Sequence, residues 1–534
     1  MNAADVLPAE FNAAAHFVDR NLAEGHGDRL AYLCSQSTVV PSSTGERSLR
    51  YRDVAELANR TGNALRELGV GLEDRVLMVC LDAAEFLGTF WGAIKIGAVP
   101  VPVNTLMRWR DYEYFLNDSR AKVMVVSAPL FAEVAPALGQ APGLRHVLIA
   151  GGDAPGCLSY EALLERASSA LEPARTSRDD VAFWLYSSGS TGFPKGVVHL
   201  QHDMVVAAEC YARHVLGLTA NDRIYSAAKL FFAYGLGNSG YFPLSVGAEA
   251  VLYPERPTAE RVFEVLSRHR PTVFFGVPTL YAGMLALADA ESRYDLSSLR
   301  LCASAGEPLP AEIYRRWLDR FGVEILDGIG TTEILHIFLS NRPGAARPGS
   351  SGVPVPGYEV TILDEQGAPV SSGTIGNLRV KGDSTMACYW NKHEQTKDAL
   401  RGRWIETGDK YYRDVDGYYW YCGRSDDMLK VGGIWVSPAE VEAALVEHPA
   451  VLESAVVGRD DRDGLLKPQA FVVLKERALA SPGLAEELKG FVKSRLAPYK
   501  YPRWIDFVDE LPKTATGKIQ RFKLRHRSPE ERPV

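Results

Sequence analysis

The stretch Tyr186-Ser-Ser-Gly-Ser-Thr-Gly-Phe-Pro-Lys-Gly-Val197 directly follows a short apolar run, Val181–Leu185. Glycine and hydroxyl residues in such a run do not build a core. They wrap backbone N–H groups and hydroxyls around phosphate oxygens, and Lys195 adds a positive charge. The spacing is not that of a Walker A loop. A flexible surface loop is the alternative, but the dense hydroxyl run with an embedded Pro-Lys-Gly favours a phosphate-binding loop after a strand.

Around this loop, up to about residue 350, short apolar runs alternate with helical patterns such as Arg52–Leu68. The segment Phe86–Val103 is interpreted as a buried helix followed by a strand, because Lys95 and two prolines interrupt it. This alternation predicts an α/β fold of mostly parallel sheets flanked by helices. The other expected strands are Val76–Cys80, Lys122–Val126, His146–Ile149, Ala250–Tyr253, Thr272–Phe275 and Arg300–Ala303.

After about residue 350 the pattern of predicted elements changes. Residues 350–425 contain short strands joined by Gly- and Asp-rich turns, which predicts a β-rich subdomain that completes a large N-terminal domain, residues 1–425. A polar connector follows, and Ser437-Pro-Ala-Glu440 has the pattern of a capping box. Residues 426–534 are predicted to form a small α+β domain of their own. The strands and helices expected here are Glu359–Leu363, Gly376–Lys381, Trp404–Glu406, Tyr418–Cys422, Pro438–Val446, Val451–Gly458, Pro468–Leu474, Leu484–Leu496 and Trp504–Phe507.

Bulk properties narrow the class of protein. The chain has 534 residues, which implies two or more domains, and a net charge of −7, which argues against nucleic acid as a partner. Seven cysteines are scattered singly, the pattern of reduced thiols in a cytoplasmic protein. We find neither a signal peptide nor a membrane-spanning run, so no membrane association is expected. The sequence leaves the oligomeric state open between monomer and homodimer.

Six motifs carry a resemblance to a known family. Ser187–Gly196 resembles the phosphate-binding signature of the adenylate-forming superfamily, which includes acyl-CoA synthetases, firefly luciferases and peptide-synthetase adenylation domains. Singly, T-G-D or G-R-x-D is common in turns, but the motifs occur in the family's order across nearly the whole chain. The others are Ser304-Ala-Gly-Glu-Pro308 on the adenine side, Asp327-Gly-Ile-Gly-Thr-Thr-Glu333 with Asp327 where an aromatic residue often sits, Thr407-Gly-Asp409 for the ribose, Gly423-Arg-Ser-Asp426 at a hinge, and the lysine loop, Pro512-Lys-Thr-Ala-Thr-Gly-Lys-Ile519.

The resemblance implies an ATP-dependent acid–thiol ligase that forms an acyl-CoA through an acyl-adenylate. A carboxylate attacks the α-phosphate of ATP, so two anions approach each other and the site must screen them. The resemblance assigns Mg²⁺ binding to Glu333 and catalysis to Lys518, Thr191 and Glu333. It assigns ATP or AMP binding to Ser187, Ser188, Gly189, Ser190, Lys195, Ala305, Gly306, Glu307, Asp327, Gly328, Thr332, Asp409 and Arg424.

The resemblance also implies a two-state mechanism. The C-terminal domain acts as a mobile lid that swings about Asp426 after adenylation, which removes the lysine loop and opens a path for the CoA thiol. Gly432 and Gly433 are then expected on the CoA side. Ile434 and Trp435 follow, where relatives often carry a basic residue.

The acyl pocket is expected at Lys229–Asn238. Phe232-Ala-Tyr-Gly235, together with Glu333-Ile-Leu-His-Ile-Phe338, resembles benzoate–CoA ligases, and a flat ring needs a narrow slot with few polar demands. A small aromatic carboxylic acid and CoA are therefore the expected substrates. The predicted pocket residues are Ala233, Tyr234, Gly330, Ile334 and His336. Core packing remains the alternative for Tyr234, Ile334 and His336.

Three further interpretations are weighed. A stand-alone adenylation enzyme that loads a carrier protein has the same fold, but the chain contains no carrier domain. Gly235-Leu-Gly-Asn-Ser-Gly240 matches the dinucleotide fingerprint G-x-G-x-x-G and would suggest an NAD-dependent oxidoreductase, although no clean strand precedes it. His199 and His202 are not expected to bind a metal, because the sequence suggests no carboxylate or cysteine partner for them.

Overall fold

The structure is a computed structural model and describes residues 3–34, 47–187, 193–425, 427–431, 434–462, 465–497, 499–513 and 519–525. The predicted strands and helices are confirmed to within one or two residues at their ends, with one exception. Trp404–Glu406 is the beginning of a longer strand, Trp404–Arg413. Among the described residues, no helix combines the length and the apolar character that crossing a bilayer requires.

Two large sheets form most of the N-terminal part. The first has nine strands, parallel at its centre and antiparallel at its edges, in the order Val353–Pro354, Ile337–Ser340, Ile325–Gly330, Leu301–Ser304, Val273–Gly276, Arg223–Ser226, Glu249–Leu252, Leu30–Cys34 and Arg47–Arg50. The second is parallel throughout, in the order Val99–Pro102, Arg75–Val79, Val123–Ser127, His146–Ala150 and Leu158–Ser159.

Both sheets are covered on both faces, as parallel sheets require. Along Arg75–Val79, Val76 and Met78 enter a core shared by the two sheets, whereas Leu77 and Val79 enter an outer core. Two helices, Tyr51–Glu67 and Ala84–Lys95, pack closely within the shared core. A Cβ on Gly92 of the second helix would lie 2.7 Å from the Ala58 carbonyl oxygen of the first, so only glycine permits this approach.

Helices surround these sheets and the smaller sheets. The longer helices are Tyr51–Glu67, Ala84–Lys95, Trp109–Ser119, Phe131–Leu138, Tyr160–Arg166, Ala259–His269, Pro278–Ala286, Ala311–Phe321, His393–Ala399, Pro438–Val446 and Pro482–Arg495. The shorter α-helices are Ala3–Val6, Arg20–Ala23, Asp203–Ala207, Ala233–Gly235, Phe242–Val246, Ala290–Arg293 and Arg521–Arg525. Single turns of other types are Ala15–Asp19, Ala208–Arg213 and Leu236–Tyr241 (π) and Ala128–Leu130, Thr332–Ile334 and Arg477–Leu479 (3₁₀).

The remaining strands form four small sheets. Val181–Ser187 and Lys195–Leu200 form a hairpin with Cys388–Tyr389 at its edge. The β-rich subdomain contains Glu359–Leu363, Gly376–Lys381, Leu400–Arg401, Trp404–Arg413 and Tyr419–Arg424. The C-terminal part contains a two-stranded sheet, Leu429–Val431 and Ile434–Val436, and a three-stranded sheet, Val451–Asp460, Leu466–Leu474 and Trp504–Phe507.

The helix Pro438–Val446 begins differently from the prediction. Ser437 Oγ accepts a hydrogen bond from the Glu440 N–H at 3.2 Å, as a capping box requires. The Glu440 carboxylate, however, accepts from Lys500 Nζ, at 2.7 and 2.6 Å for its two oxygens. A full positive charge is the stronger donor, so half of the predicted capping box is replaced by an ion pair.

Candidate active site

Six of the predicted nucleotide residues lie at the carboxyl ends of two strands of the nine-stranded sheet: Ala305, Gly306, Glu307, Asp327, Gly328 and Thr332. The neighbouring parallel strands Leu301–Ser304 and Ile325–Gly330 end there, and their carboxyl ends lead into the Ser304–Pro308 and Asp327–Glu333 motifs. Ligands of open α/β sheets bind in the crevice outside the carboxyl ends of parallel strands. The fold therefore brings two motifs that are distant in sequence to one place.

The hydroxyl-rich loop joins the hairpin strands Val181–Ser187 and Lys195–Leu200. Ser187 and Lys195 are paired across this hairpin, so both lie at the end where the loop joins the two strands. Ser188, Gly189, Ser190 and Thr191, together with Gly192, lie outside the described residues. Their predicted phosphate contacts remain predictions.

One helix, Trp109–Ser119, fastens both ends of this loop. Before the loop, the Tyr186 hydroxyl donates to Asp118 Oδ2 at 2.8 Å. After the loop, the Tyr114 hydroxyl donates to the Pro194 carbonyl at 2.7 Å. The Tyr114 ring also stacks on the otherwise exposed Phe193 ring, with centroids 4.7 Å apart. These contacts fix where the loop begins and ends.

Glu333 lies opposite the first end of the loop, on the turn Thr332–Ile334. Its Oε1 accepts hydrogen bonds from Ser187 Oγ at 3.1 Å and from the Tyr389 hydroxyl at 2.8 Å. Burial, and then the Glu333 carboxylate, raise the pKa of Tyr389 above its ordinary value, so its hydroxyl stays a donor. Lys195 Nζ lies 4.1 Å from the centroid of the Tyr389 ring.

Sequence reasoning missed Tyr389. The sequence around Tyr389 contains no recognisable motif. The pairing of the strand Cys388–Tyr389 with the strand Lys195–Leu200 brings Tyr389 to the site. Among the described residues, no three His, Cys, Asp or Glu side chains converge to hold a metal ion. Mg²⁺ in nucleotide sites is held by one or two carboxylates together with substrate phosphates and water. A single carboxylate at Glu333 fits that donor set.

Beneath Glu333 lies a buried polar pair. His199 Nδ1 is 2.7 Å from Asp203 Oδ2, and His199 Nε2 is 2.8 Å from the Thr332 carbonyl oxygen. Asp203 Oδ1 also lies 3.2 Å from His202 Nε2. The prediction that no carboxylate joins the two histidines is therefore wrong, because the turn after Leu200 folds Asp203 back between them.

The expected ribose end is on the β-rich subdomain. Asp409 and Arg424 are paired across adjacent strands, and Arg424 Nη1 donates to Asp409 Oδ1 at 3.2 Å and to the Thr407 carbonyl at 2.9 Å. Gly408 has a φ of +74°, and a Cβ there would lie 2.8 Å from Arg424 Nη2. The Thr-Gly-Asp order thus lets the guanidinium lie against the backbone.

Asp327 lies deep at the adenine side. Its Oδ2 accepts from the Leu309 N–H at 3.3 Å, and burial raises the pKa of this carboxyl to about 8. The family motif reads aromatic-Gly-x-Thr-Glu. When its glutamate is Glu333, the aromatic position falls on Ile329, so the placement at Asp327 is wrong. The neighbouring loop has Ala305 buried and Gly306 in the left-handed region, with a φ of +95°.

The predicted acyl-pocket residues lie together around His336. Its Nε2 donates to the Tyr234 carbonyl at 3.3 Å, and the centroids of the two rings are 5.6 Å apart. Burial lowers the pKa of His336 to about 3, so the ring is neutral. Ile334 is fully buried, and a Cβ on Gly330 would lie 2.5 Å from the His336 carbonyl oxygen. Ala233 begins the short helix Ala233–Gly235, whose side chains are partly exposed at Ala233 and Tyr234.

This packing also explains the G-x-G-x-x-G match. Gly235 and Gly237 lie in consecutive buried helical turns instead of a strand-to-helix turn. A Cβ on Gly235 would lie 2.1 Å from the Lys229 carbonyl oxygen, and one on Gly237 would lie 2.3 Å from His336 Cδ2. The glycines permit close packing, so the NAD-dependent oxidoreductase interpretation is wrong.

The C-terminal motifs are described only in part. Asp426, Gly432, Gly433 and Lys518 lie outside the described residues. The base of the lysine loop is described: Lys513 and Ile519 form an antiparallel bridge, and the Ile519 N–H donates to Glu307 Oε1 at 3.1 Å. The base of this loop therefore touches the adenine-side motif of the N-terminal part.

Comparison with known proteins agrees with this geometry. Residues 19–390 match the family described as AMP-binding enzyme, and residues 440–518 match the AMP-binding enzyme C-terminal domain. The chain belongs to this family of adenylate-forming, AMP-binding enzymes.

Several relatives are similar over almost the full length. A benzoate–CoA ligase of Thauera aromatica is 54% identical, over 97% of this chain and 96% of the relative. A 4-hydroxybenzoate–CoA/benzoate–CoA ligase of Rhodopseudomonas palustris is 48% identical, over 97% of this chain and 94% of the relative. A benzoate CoA ligase from Burkholderia xenovorans, known from a crystal structure, is 51% identical in sequence. The two structures match with a TM-score of 0.88 over 97% of this chain and 100% of that chain. An anthranilate CoA ligase in complex with anthranoyl-AMP is 45% identical, with a TM-score of 0.93 over 98% of both chains.

Proposed function

We propose that this protein is an acid–thiol ligase that converts benzoate, ATP and CoA into benzoyl-CoA, AMP and diphosphate through a benzoyl-adenylate. The observation that carries the proposal is the 54% identity to a benzoate–CoA ligase over 97% of the chain. The aromatic and apolar surroundings of Tyr234 and His336 suit a flat ring with few polar groups.

The phosphate side of the site is proposed as follows. The hydroxyl-rich loop, residues 187–192, and Lys195 bind the triphosphate, while Thr332 and Thr191 contact phosphate oxygens. Glu333 is the proposed Mg²⁺ ligand, and Ser187 and Tyr389 orient its carboxylate through the hydrogen bonds at 3.1 and 2.8 Å. Bound Mg²⁺ would neutralise phosphate charge and so favour loss of diphosphate.

The nucleoside side relies on fixed geometry. Asp409 is proposed to accept hydrogen bonds from the ribose hydroxyls, and Arg424, which is 3.2 Å from it, sets the orientation of its carboxylate. The adenine lies against the backbone of Ala305 and Gly306, with Asp327 and Gly328 beside it. A preorganised site of this kind does not have to reorganise during the reaction, which is why its electrostatic effect on the rate is large.

The remaining roles belong to the C-terminal part, residues 426–534. Lys518 is the proposed cation that approaches the benzoate carboxylate and the α-phosphate together. Asp426 is the proposed hinge, and Gly432 and Gly433 face the CoA thiol after the lid has turned. We propose that the enzyme works in the cytoplasm, as a monomer or a homodimer.

A substrate panel tests the proposal. Purified protein is incubated with ATP, Mg²⁺, CoA and one acid at a time, among them benzoate, 4-hydroxybenzoate, anthranilate, cinnamate and a fatty acid. We expect the highest kcat/KM for benzoate, measured as diphosphate release and as thioester formed. A higher kcat/KM for the fatty acid, or no activity with any aromatic acid, would refute the proposal.

A ligase for a substituted benzoate is the second candidate. It is favoured by the 48% identity to a ligase that is named for both 4-hydroxybenzoate and benzoate. The same panel separates the two candidates through their kcat/KM ratio. A stand-alone adenylation enzyme is separated by omitting CoA: it would form the adenylate but would not produce a CoA thioester when CoA is restored.

A further inference from the structure

The carboxylate of Glu307 bridges two parts of the chain that are 212 residues apart. Glu307 lies on the loop that follows the strand Leu301–Ser304, and its Oε1 accepts the N–H of Ile519 at 3.1 Å. Ile519 directly follows Lys518 in the sequence. The hydrogen bond therefore links the adenine-side loop to the end of the lysine loop.

The end of the lysine loop is itself well anchored. Ile519 forms an antiparallel bridge with Lys513, and the Gln520 N–H donates to the Pro512 carbonyl at 2.7 Å. Lys513 Nζ donates to both carboxylate oxygens of Glu453, each at 2.7 Å. Because the two ends of the loop are tied to each other and to the C-terminal sheet, a bond to Ile519 fixes the position of the whole loop base.

A second anchor lies just beyond the loop. Arg521 on the helix Arg521–Arg525 donates to both carboxylate oxygens of Glu442, at 2.9 and 2.7 Å. This guanidinium also lies 3.9 Å from Asp427, next to the predicted hinge. The loop base thus moves with the C-terminal part, whereas Glu307 stays with the N-terminal part.

Charge argues against Glu307 as a direct ligand of the phosphates. A carboxylate beside the phosphates of ATP would repel them, and the neighbouring backbone of Ala305 and Gly306 is better suited to an uncharged base. A backbone N–H is a good partner for a carboxylate, and a hydrogen bond to a charged acceptor is stronger than one between neutral groups.

We infer that Glu307 is a positioning residue that docks the lysine loop onto the N-terminal domain during adenylation. The inference rests on the proposed function of Lys518. A turn of the lid about the hinge carries Ile519 away from Glu307, so the bond exists in one domain arrangement only. An interaction present in only one of two states shifts the population toward that state. Glu307 therefore favours the adenylation arrangement over the thioester-forming one.

The test compares Glu307→Ala and Glu307→Gln with wild type, and Glu359→Ala serves as a matched control. Glu359 is an exposed carboxylate that pairs with Lys381 on the β-rich subdomain, so it controls for the loss of a carboxylate elsewhere in the N-terminal part. Two half-reactions are measured: diphosphate release in the presence of acid and ATP, and thioester formation from supplied acyl-adenylate and CoA. Thermal melting confirms that each variant is folded.

We expect Glu307→Ala to lower kcat for adenylation about tenfold, the scale of one charge-assisted hydrogen bond, with the KM for ATP little changed. Thioester formation from supplied acyl-adenylate should be unchanged or faster. Glu307→Gln retains an oxygen acceptor and should recover most of the rate, and Glu359→Ala should match wild type.

Three results would overturn the inference. A higher KM for ATP at unchanged kcat would make Glu307 a nucleotide ligand. An equal loss in both half-reactions, or no loss in either, would remove its selective role. The assay uses whichever acid the wild-type enzyme adenylates fastest, so a wrong assignment of benzoate is seen in the wild-type panel and does not affect the test of Glu307.

Discussion

Asp203 accepts a hydrogen bond from His199 at 2.7 Å, and neither side chain is exposed. The other ring nitrogen of His199 faces the Thr332 carbonyl, one residue before Glu333. His199 therefore connects the strand that leaves the phosphate loop to the turn that carries the proposed Mg²⁺ ligand. The pair therefore supports the turn at Thr332 from within the protein interior.

Removing one partner of this pair should be costly. His199→Ala leaves the Asp203 carboxylate buried without its 2.7 Å partner, and we expect a loss of about 3–5 kcal/mol in the free energy of unfolding. Adenylation should fall as well, because the turn at Thr332 loses its support. Urea unfolding followed by fluorescence, together with diphosphate release, measures both effects.

A double-mutant cycle provides the control for this prediction. The variant with both His199→Ala and Asp203→Ala no longer has a buried carboxylate that lacks its histidine partner, so it should be less destabilised than the sum of the single variants. Strict additivity would show that the two side chains do not act as a pair.

The stability of the protein should depend on Asp327 through pH. Burial raises the pKa of its carboxyl from 3.8 to about 8, so the folded protein keeps a proton that the unfolded chain loses. The contribution of Asp327 is complete below pH 4 and is lost as the pH rises to about 8, with a slope of at most about 1.4 kcal/mol per pH unit. Asp327→Asn cannot ionise, so its stability relative to wild type should increase across that window. The free energy of unfolding of both proteins is measured from about pH 5 to about pH 8. A constant difference between them over this range would contradict the prediction.

Gly237→Ala should narrow the acyl pocket. The new Cβ would lie 2.3 Å from His336 Cδ2, so the imidazole, which packs against Tyr234, must move. We expect a loss of about 1–3 kcal/mol in stability, the usual cost of overpacking. We also expect a higher KM for benzoate with the KM for ATP unchanged. Gly240→Ala is the control, since its Cβ would meet the ends of two leucine side chains, Leu236 at 3.1 Å and Leu230 at 3.6 Å, and not His336 at close range. Equal effects of both substitutions on benzoate would contradict a specific role for the Gly237–His336 contact.

Lys518→Ala should separate the two half-reactions. Loss of this one positive charge is expected to lower the rate of adenylation by about 10²–10³. Conversion of supplied acyl-adenylate to thioester should continue at the wild-type rate, because the lid then presents another face to the site. A parallel fall in both rates would require a mechanism without domain rotation. Lys489→Ala, on the helix Pro482–Arg495 where its amine pairs with Glu486, is the control for a general loss of positive charge.

The periodicity of the sequence predicts the scaffold well, for a physical reason. Fully buried parallel strands such as Val123–Ser127 require uninterrupted β-branched and apolar residues, and these are visible without a structure. The helix Pro438–Val446 is equally visible, because serine and proline mark its first turn. Local rules decide both elements.

Parts of the candidate site could not be predicted, because they depend on contacts between distant segments. Tyr389 reaches Glu333 only through strand pairing, and nothing in its local sequence indicates this. Asp203 was overlooked as the partner of His199 because a turn, not helical periodicity, brings the two together. Glu307 was assigned to the nucleotide by its motif, whereas its hydrogen bond to Ile519 depends on how two domains meet.

The strand that ends at Arg424 brings the proposed ribose-binding pair close in sequence to the proposed hinge. Arg424 is paired with Asp409 inside the N-terminal sheet, and the connector begins within two residues of it. Rotation about that connector leaves this pair in place. If Asp409 binds the ribose as proposed, the acyl-adenylate would remain held by its sugar while the C-terminal part turns, and the reactive anhydride would not be released into water between the two steps.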